Sequence, residues 1–402
     1  MQERDFDVVV YGATGFAGTL TAEYLQETYG GDVRWAVAGR SEGRLKKLVA
    51  DLATQRPDAP EVAYIVADST DRTALDAMMA RTVAICTTVG PYAKYGSSVV
   101  ASAVANGTHY CDLTGEPQFV RRMIDAHDDE AKAKGVRVVH CAGFDSIPSD
   151  LGVFAVQQAA LEKTGKPCES VEYVLAGASG GFSGGTAASL IHILDEAGDP
   201  TVRRVLGNPY GLCSEKGPDS REQTGLRYSK AARAWTGPFV MAATNERVVR
   251  RSNELLGYRY GKDFRYGESV KTGPGVGGWL KGVALTGVMT MGVGALLIGP
   301  LRRVASRWIV QPGDGPSRDA INNGFFKARL YGVQQGEVVV TGTVTGTQDP
   351  GYGATACMLA ETGLALALSD DLGDAGVTTT AAGLGQVLID RLQPHRVQFE
   401  IA

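Results

Sequence analysis

The stretch "VVVYGATGFAGTLTAEYL", residues 8–25, joins an apolar run to an amphipathic run through a glycine-rich turn. Its β-branched start predicts a strand, and the spacing of apolar residues after the turn predicts a helix. The glycines between them, Gly12, Gly15 and Gly18, follow a G-x-x-G-x-x-G spacing. A turn of this kind places backbone N–H groups at the start of a helix, where they can bind a phosphate group.

The next apolar run, "RWAVAGRS" at residues 34–41, follows at the distance that a βαβ unit requires. This context favours a dinucleotide site, although the spacing is not the strict G-x-G-x-x-G fingerprint. An ordinary tight turn is the alternative. We expect the turn, with Thr14 and Phe16, to hold the pyrophosphate of the dinucleotide.

The end of the second strand indicates which dinucleotide binds. An NAD site usually has an acidic residue there, to bind the ribose 2′-hydroxyl. This strand instead ends in Arg40 and Ser41, and Asp32 precedes it. Because a guanidinium group matches a 2′-phosphate in charge and geometry, the sequence predicts NADPH. The alternative is a solvated helix start with incidental basic residues.

Strands and helices alternate through the first third of the chain, which predicts a parallel, doubly wound Rossmann sheet. Strands are expected at residues 6–11, 34–38, 62–67, 83–89 and 137–141, and helices at 19–29, 41–52, 70–79, 97–106 and 117–134. Asp68 follows the third strand and is expected either to contact the adenine side of the cofactor or to cap a helix. Val89, Gly90 and Pro91 follow the fourth strand and are expected beside the nicotinamide ribose.

The regular alternation is lost from about residue 170, where the strands are separated by glycine-rich connections. This texture predicts a second α+β domain with a mixed or antiparallel sheet. We therefore expect a Rossmann NADP-binding domain at residues 1–150 and a second domain, contacting substrate or lipid, at 151–345. Helices within 346–402 are expected to pack back on the first domain.

The composition is that of a globular protein, with 402 residues, 44% of them hydrophobic and 21% charged. A formal net charge of −4 gives no support for nucleic-acid binding. Six cysteines without a C-x-x-C pair, and no signal peptide, predict a cytoplasmic protein. The histidines show no metal-binding spacing, so no metal is expected. A homo-oligomer is compatible with the sequence.

One long apolar run occupies residues 282–300, and no charged residue occurs between positions 281 and 302. The run is long enough to cross a bilayer, but its glycines weaken a helix. Basic and aromatic residues follow it at Arg302, Arg303, Arg307 and Trp308. We expect a peripheral contact with the inner membrane or a lipid surface. A buried core element and a full membrane span are the alternatives, in that order.

The blocks "YGATGFAG", "AGRS", "TTVGPYAKYG", "HYCDLTGE" and "GFDSIPSDLG" together resemble the saccharopine dehydrogenase-like oxidoreductases, and most of all their mycobacterial trans-acting enoyl reductase branch. The blocks "DPGYGATACMLAE" and "AAGLGQVLIDRL" resemble the C-terminal part of that family. The resemblance implies a saccharopine-reductase-like fold and a nicotinamide cofactor. It also implies reduction of a trans double bond in a lipid or polyketide-type chain bound to a carrier, with a polyketide synthase as partner.

Enoyl reduction needs an acid that protonates the α-carbon of the substrate. The candidates are, in order, Tyr92, Tyr110 and Asp145, because each is expected near the edge of the sheet where the nicotinamide would lie. For each tyrosine taken alone, a wall residue with a single hydrogen bond is the alternative. His109, next to "YCDLTGE", is the histidine to be examined at this edge.

Two other functions stay open on the sequence. A dehydrogenase of an amino-acid-derived imine would need several arginines for the substrate carboxylates, and the second half offers Arg203, Arg204, Arg247, Arg250 and Arg251. The apolar run at residues 282–300 favours a lipid substrate instead. The other function is that of a non-catalytic NADP-binding protein that docks on a membrane or lipid.

Overall fold

The computed structural model describes residues 4–179, 184–218, 222–297 and 315–402, which fold around two seven-stranded sheets. The first sheet contains β1 (Phe6–Tyr11), β2 (Trp35–Gly39), β3 (Ala63–Val66), β4 (Thr82–Thr87), β5 (His109–Asp112), β6 (Arg137–Val139) and β13 (Gly376–Thr378). Its order is β3-β2-β1-β4-β5-β6-β13, and every strand pair is parallel. This confirms the predicted Rossmann sheet, whose winding reverses between β1 and β4, where ligands bind in such folds.

The first sheet is covered on both faces. The helices involved are α1 (Phe16–Thr28), α2 (Glu42–Gln55), α3 (Arg72–Ala80), α4 (Tyr92–Ala105), α5 (Pro117–Lys134) and α12 (Gly353–Leu368). Val8 and Val10 of β1 pack in the core shared with α1, α2 and α12, whereas Val9 and Tyr11 pack in the core shared with α3, α4 and α5. All four side chains are at most 2% exposed, which is typical of a central parallel strand.

Two features of this sheet differ from the sequence prediction. β5 and β13 are not predicted, because each is only three or four residues long and has no extended apolar run. α4 begins at Tyr92 rather than at residue 97. The Glu116 carboxylate accepts hydrogen bonds from the backbone N–H groups of Tyr92 and Ala93 at 3.1 and 3.0 Å. A cap supplied by a distant residue leaves no local signal in the sequence.

The second sheet is mixed, as predicted. Its strands are β7 (Ser170–Ser179), β8 (Arg227–Ser229), β9 (Ala234–Gly237), β10 (Arg265–Gly273), β11 (Phe325–Gln334), β12 (Glu337–Gly346) and β14 (Val397–Ile401). Their order is β14-β12-β11-β7-β10-β9-β8; β7 and β10 are parallel and the other neighbours antiparallel. The remaining helices are α6 (Ile147–Thr164), α7 (Gly184–Glu196), α8 (Pro200–Gly207), α9 (Ala242–Leu255), α10 (Gly275–Leu297), α11 (Arg318–Asn322), α13 (Thr380–Gly383) and α14 (Gly385–Leu392).

The two halves of the chain share one apolar core. α6 packs on β11 and β12, α9 packs on β10, and the two helices contact each other. One buried cluster contains both Val8 of the first sheet and Leu330 of the second. The C-terminal segment contributes β13 to the first sheet and β14 to the second, and its α12 packs against α1, β4 and β5. The expected domain limits at residues 150 and 345 remain a prediction.

α10 packs along β9 and β10, and two of its glycines allow a close approach to neighbouring residues. A Cβ atom on Gly278 would overlap the carbonyl oxygen of Gly273, and a Cβ atom on Gly282 would overlap Leu226. The other side of the helix exposes apolar side chains, namely Val276, Trp279, Leu280, Val283, Val288 and Met291, which are 42–75% exposed. This exposure argues against a buried core element.

By length and composition, α10 is the helix within the described ranges that could cross a membrane, and 6% of its apolar window is buried. A single helix of this kind is weak evidence for a span. The last residues of the predicted apolar run, 298–300, lie outside the described residues, and so do Arg302, Arg303, Arg307 and Trp308.

Candidate active site

The glycine turn lies at the edge where the parallel strands of the first sheet end, here called the carboxyl edge. Gly12 follows β1 with a φ of 83°, a left-handed conformation that favours glycine. A Cβ atom there would lie 2.8 Å from both Thr88 Oγ1 and Val89 Cγ2. A Cβ atom on Gly18 would overlap the carbonyl oxygen of Gly12. Both positions therefore need glycine for close packing.

α1 begins directly after this turn, with Gly15 as its N-cap residue and without a side-chain cap. Within the described ranges, no side chain accepts from the first N–H groups of the helix, and the positive end of the helix dipole favours a phosphate there. The ring of Phe16 packs edge-on against Tyr352, with 4.7 Å between centroids, and the Thr14 carbonyl accepts a hydrogen bond from Arg44 at 2.8 Å. The turn fits the pyrophosphate of NADPH.

The end of β2 presents an exposed cation to the same edge. Arg40 is exposed directly after β2, and Ser41 is the N-cap residue of α2 without a side-chain cap bond. Glu42, the next residue, forms an ion pair with Lys46 at 2.9 Å. The exposed guanidinium of Arg40 and the adjacent hydroxyl of Ser41 fit a ribose 2′-phosphate, whereas the nearest carboxylate in the sequence is already paired.

Asp68 stabilises a short turn between β3 and α3. Its carboxylate accepts hydrogen bonds from the backbone N–H and the hydroxyl of Thr70, at 2.9 and 2.7 Å. These bonds, and then the nearby Arg40, lower the pKa of the Asp68 carboxyl. The side-chain cap of α3 is instead Asp71, whose carboxylate accepts hydrogen bonds from the N–H groups of Thr73 and Ala74. The alternative that Asp68 caps this helix is therefore wrong, and a contact of Asp68 with the adenine side of NADPH remains a prediction.

The loop after β4 packs on the glycine turn. The Thr88 hydroxyl donates a hydrogen bond to the carbonyl of Gly12 at 3.1 Å. Gly90 is exposed at this loop, and Pro91 is the N-cap residue of α4. The predicted nicotinamide-ribose contacts, Val89, Gly90 and Pro91, thus lie next to the predicted pyrophosphate turn, and their role in binding remains a prediction.

The Tyr92 hydroxyl points into the protein. It donates a hydrogen bond to the carbonyl of Thr87 at 3.1 Å and accepts one from the N–H of Leu113 at 3.2 Å. The side chain is 5% exposed, and burial raises the pKa of its hydroxyl well above the ordinary value. In this conformation Tyr92 joins the ends of β4 and β5, and the proton that it could transfer is already bonded to backbone.

Tyr110 belongs to a buried cluster with Asp112 and His140. The Tyr110 hydroxyl donates to Asp112 Oδ2 at 2.9 Å, and His140 Nδ1 lies 2.7 Å from the same oxygen. Asp112 Oδ1 accepts hydrogen bonds from the N–H groups of Thr114 and Cys141 at 3.0 and 3.2 Å. Burial raises the pKa of the Tyr110 hydroxyl. The cluster joins the ends of β5 and β6 at the carboxyl edge.

Asp145 is the predicted acid with an available carboxyl. It is half-buried just before α6, and among the residues that the structure describes no hydrogen-bond partner of its carboxyl is found. Burial raises its pKa to about 7. Its charge acts on the hydroxyl of Tyr92 and the thiol of Cys141, so it lies close to the ends of β4 and β6. At neutral pH a substantial fraction of this carboxyl is protonated.

Two further polar residues, Glu116 and His140, lie at this edge. Glu116 caps α4, and burial raises the pKa of its carboxyl. His140 was not selected because its partner Asp112 is on another strand, and the signal for it is its position at the end of β6. His109 lies instead at the first residue of β5, at the opposite edge, where its Nδ1 accepts the N–H of Arg137 at 3.0 Å. Burial lowers the pKa of His109 to about 4. Its position at the opposite edge of the sheet excludes it from the candidate site.

The arginines that would favour an imine substrate are mostly buried and paired. Arg247, Arg250 and Arg251 form ion pairs with protein carboxylates at 2.7–2.9 Å, and their side chains are 2–8% exposed. Arg203 and Arg204 are exposed on α8. The three buried guanidinium groups are thus not available to bind several substrate carboxylates.

Within the described ranges there is no group of three or more His, Cys, Asp or Glu side chains that could hold a metal ion.

The sequence matches known proteins along almost its whole length. Residues 8–139 match the family described as the saccharopine dehydrogenase NADP binding domain. A relative from Mycobacterium tuberculosis, provisionally named a trans-acting enoyl reductase, is 42% identical over 426 residues, which cover 99% of this chain and 97% of the relative. The trans-acting enoyl reductase of Mycobacterium bovis is 38% identical over 406 residues, which cover 97% and 96% of the two chains.

A solved structure supports the same fold. Apo saccharopine dehydrogenase (L-Glu forming) from Saccharomyces cerevisiae aligns with a TM-score of 0.50, over 98% of this chain and 99% of its own, at 12% identity. The NADP-binding family match agrees with the glycine turn and with Arg40 at the end of β2. The chain therefore belongs to the saccharopine dehydrogenase-like oxidoreductases, in the branch of the trans-acting enoyl reductases, and is an NADP-dependent enzyme.

Proposed function

We propose that this enzyme reduces a trans-enoyl double bond in a lipid or polyketide-type chain that is bound to a carrier, together with a polyketide synthase. The name of its relatives supports the reaction class. In the structure, the proposal depends most on Asp145, a half-buried carboxyl with a pKa of about 7 at the carboxyl edge. The buried, paired arginines make a substrate with several carboxylates the weaker alternative.

Each part of the edge has a defined task in this proposal. NADPH, when bound, supplies the hydride for the β-carbon of the substrate. The glycine turn and Arg40 bind the phosphate groups of the cofactor, and the residues 89–91 orient its nicotinamide end. Asp145 in its protonated form donates a proton to the α-carbon, since a pKa near the working pH suits a general acid. Tyr92 and Tyr110 support this edge from within the protein, because both side chains are buried and their hydroxyls are bonded internally.

The proposal includes the place where the enzyme works. The exposed apolar side of α10 would contact the acyl region of a lipid surface, with the enzyme peripheral to the cytoplasmic side of the inner membrane. Three observations support this: the exposed apolar side chains, Lys281 as the single charge within α10, and the basic residues that follow in the sequence. Anionic head groups attract such residues by about 1 kcal/mol each.

The Asp145→Asn variant tests the proton-donor role. We expect kcat on a trans-2-enoyl thioester to fall by roughly 10²–10⁴-fold, the range for general acid–base catalysis, with NADPH affinity unchanged. In the unaltered enzyme, kcat should be constant at acidic pH and fall as the pH rises through about 7, because only the protonated carboxyl can donate. Steady-state kinetics across this pH range and a fluorescence titration with NADPH measure both effects.

The Tyr92→Phe variant provides the comparison, because it removes the rival hydroxyl and keeps the ring. Losing its two hydrogen bonds should lower the free energy of unfolding by about 1–3 kcal/mol, and most of the turnover should remain. If Asp145→Asn kept full turnover while Tyr92→Phe lost it at an unchanged NADPH affinity, the proton would come from the tyrosine and the assignment would be wrong.

A further inference from the structure

α9 places polar side chains between the carboxyl edge and the second sheet. At its start, the Thr244 hydroxyl donates a hydrogen bond to the carbonyl of Gly115, in the loop after β5, at 3.1 Å. The next residue, Asn245, reaches the loop after β6, where Asp145 and Ser146 precede α6. One end of a helix of the second half therefore contacts two loops of the first sheet.

The side-chain amide of Asn245 is fully bonded and 1% exposed. The Ser146 hydroxyl donates to its Oδ1 at 3.0 Å. Its Nδ2 donates to the Ser149 hydroxyl at 3.2 Å and to Glu268 Oε2 at 2.9 Å. An amide that accepts one bond and donates two from a single position fixes the relative orientation of its three partners.

The second sheet holds the last member of this hydrogen-bond network, Glu268. Glu268 lies within β10 and is 1% exposed. Its Oε1 accepts a hydrogen bond from the Tyr266 hydroxyl at 2.7 Å, and its backbone N–H donates to Glu246 at 3.2 Å. Polar groups buried this deeply are costly unless all of them are bonded, and a fully bonded set is rigid.

We infer that Asn245 is a positioning residue, which holds Ser146 against the second sheet and so fixes the Asp145 carboxyl above the carboxyl edge. The inference rests on the proposed function, because it gives Asn245 its effect through the acid. Asp145 has no bonded partner of its own among the described residues, so the turn before α6 determines where its carboxyl lies. The hydroxyl of Ser146, the adjacent residue, is the side-chain contact that the structure shows between this turn and α9.

The Asn245→Ala variant tests the inference, with Asn253→Ala as its matched control. Asn253 lies on the same helix, is 6% exposed, and bonds the carbonyl of Gly261 and the N–H of Tyr260 at 2.9 Å each. We expect Asn245→Ala to lower kcat by about ten- to a hundredfold, as a displaced catalytic group does, with the Kd for NADPH unchanged. The solvent isotope effect on kcat should rise, because proton transfer becomes slower.

Hydrogen exchange of the protein without substrate provides a readout apart from activity. Asn245→Ala should accelerate amide exchange in residues 143–147, and Asn253→Ala should not. Ser146→Ala, which removes one hydroxyl and is the milder change, should accelerate the same amides. Its effect on kcat should not add to that of Asn245→Ala, because both changes break the same contact.

The outcomes separate this inference from the proposed function. If Asp145→Asn loses turnover but Asn245→Ala and Ser146→Ala keep it, the positioning role is contradicted and the acid is retained. Equal exchange of residues 143–147 in the two asparagine variants contradicts the positioning role as well. If Asp145→Asn keeps full turnover, the proton-donor role fails, and the inference fails with it.

Discussion

Arg40 is the residue that we propose selects NADPH over NADH. It is exposed at the end of β2, beside the glycine turn. The Arg40→Ala variant should bind NADPH more weakly by about 1.5–3 kcal/mol, the range for hydrogen bonds to charged groups, and should bind NADH almost as before. Isothermal titration with both cofactors measures the difference.

The control for this change is Arg81→Ala, since Arg81 is also exposed and lies next to β4 at the opposite edge of the sheet. It forms an ion pair with Asp5 at 2.6 Å, and its loss should leave the affinity for both cofactors unchanged. Equal weakening of NADPH and NADH binding in Arg40→Ala would exclude a contact with the 2′-phosphate.

For single residues, the sequence predicts where a turn or a polar residue lies better than it predicts where a side chain points. The glycine turn follows from spacing alone, because only its backbone matters. The direction of the Tyr92 hydroxyl does not follow, because Thr87 and Leu113, which bond it, belong to other elements. His140 was missed for the same reason, since its partner Asp112 lies on the neighbouring strand. The position of Asp145 just before α6 follows from the sequence, because Pro148 gives a local signal for the start of that helix.

Because α10 exposes apolar side chains, substitutions on it give the sharpest test of the proposed contact with a lipid surface. The pair Val288→Glu and Met291→Glu changes side chains that are 64% and 70% exposed, so the melting temperature should stay near that of the unaltered protein. Each apolar side chain contributes about 1.5–3 kcal/mol when fully buried. Flotation with vesicles that contain anionic lipid should therefore be lost or fall at least roughly tenfold.

The matched control is the pair Val338→Glu and Leu368→Glu. These side chains are 39% and 48% exposed and lie on β12 and α12. This control should float like the unaltered protein. If the α10 variant floats equally well, α10 does not contact lipid. High salt should release part of the bound protein in a peripheral contact, whereas a membrane span would stay bound until detergent is added.

Element boundaries were predicted where the signal is local. β1 and α5 have the expected limits, and the parallel sheet follows from the alternation of strands and helices. The start of α4 and the short strands β5 and β13 depend on partners that are distant in the chain. In the sequence, the glycines of α10 predict a weakened helix. In the structure, Gly278 and Gly282 allow the helix to lie close to Gly273 and Leu226.

Packing between segments that are distant in the chain holds the whole molecule together, and the order of these segments cannot be predicted from the sequence. The sequence predicts a mixed second sheet from its texture, but it gives no strand order, because the pairing of β7 with β10 and β11 joins distant segments. The buried helices α6 and α9 then connect that sheet to the carboxyl edge. The glycine turn of the first half and the turn before α6 are thus supported by one continuous core.

The measurement that tests the central claim most directly follows hydride from labelled cofactor into product. The purified enzyme is given NADPH with deuterium at the transferable C4 position, prepared separately for each face, and a trans-2-enoyl chain on a carrier domain. Mass spectrometry and NMR locate the label. We predict that one equivalent of NADPH is consumed per double bond and that, from one of the two labelled forms, deuterium appears on the β-carbon of a saturated chain. Deuterium on a carbon bonded to oxygen or nitrogen, or no consumption of NADPH, would contradict enoyl reduction.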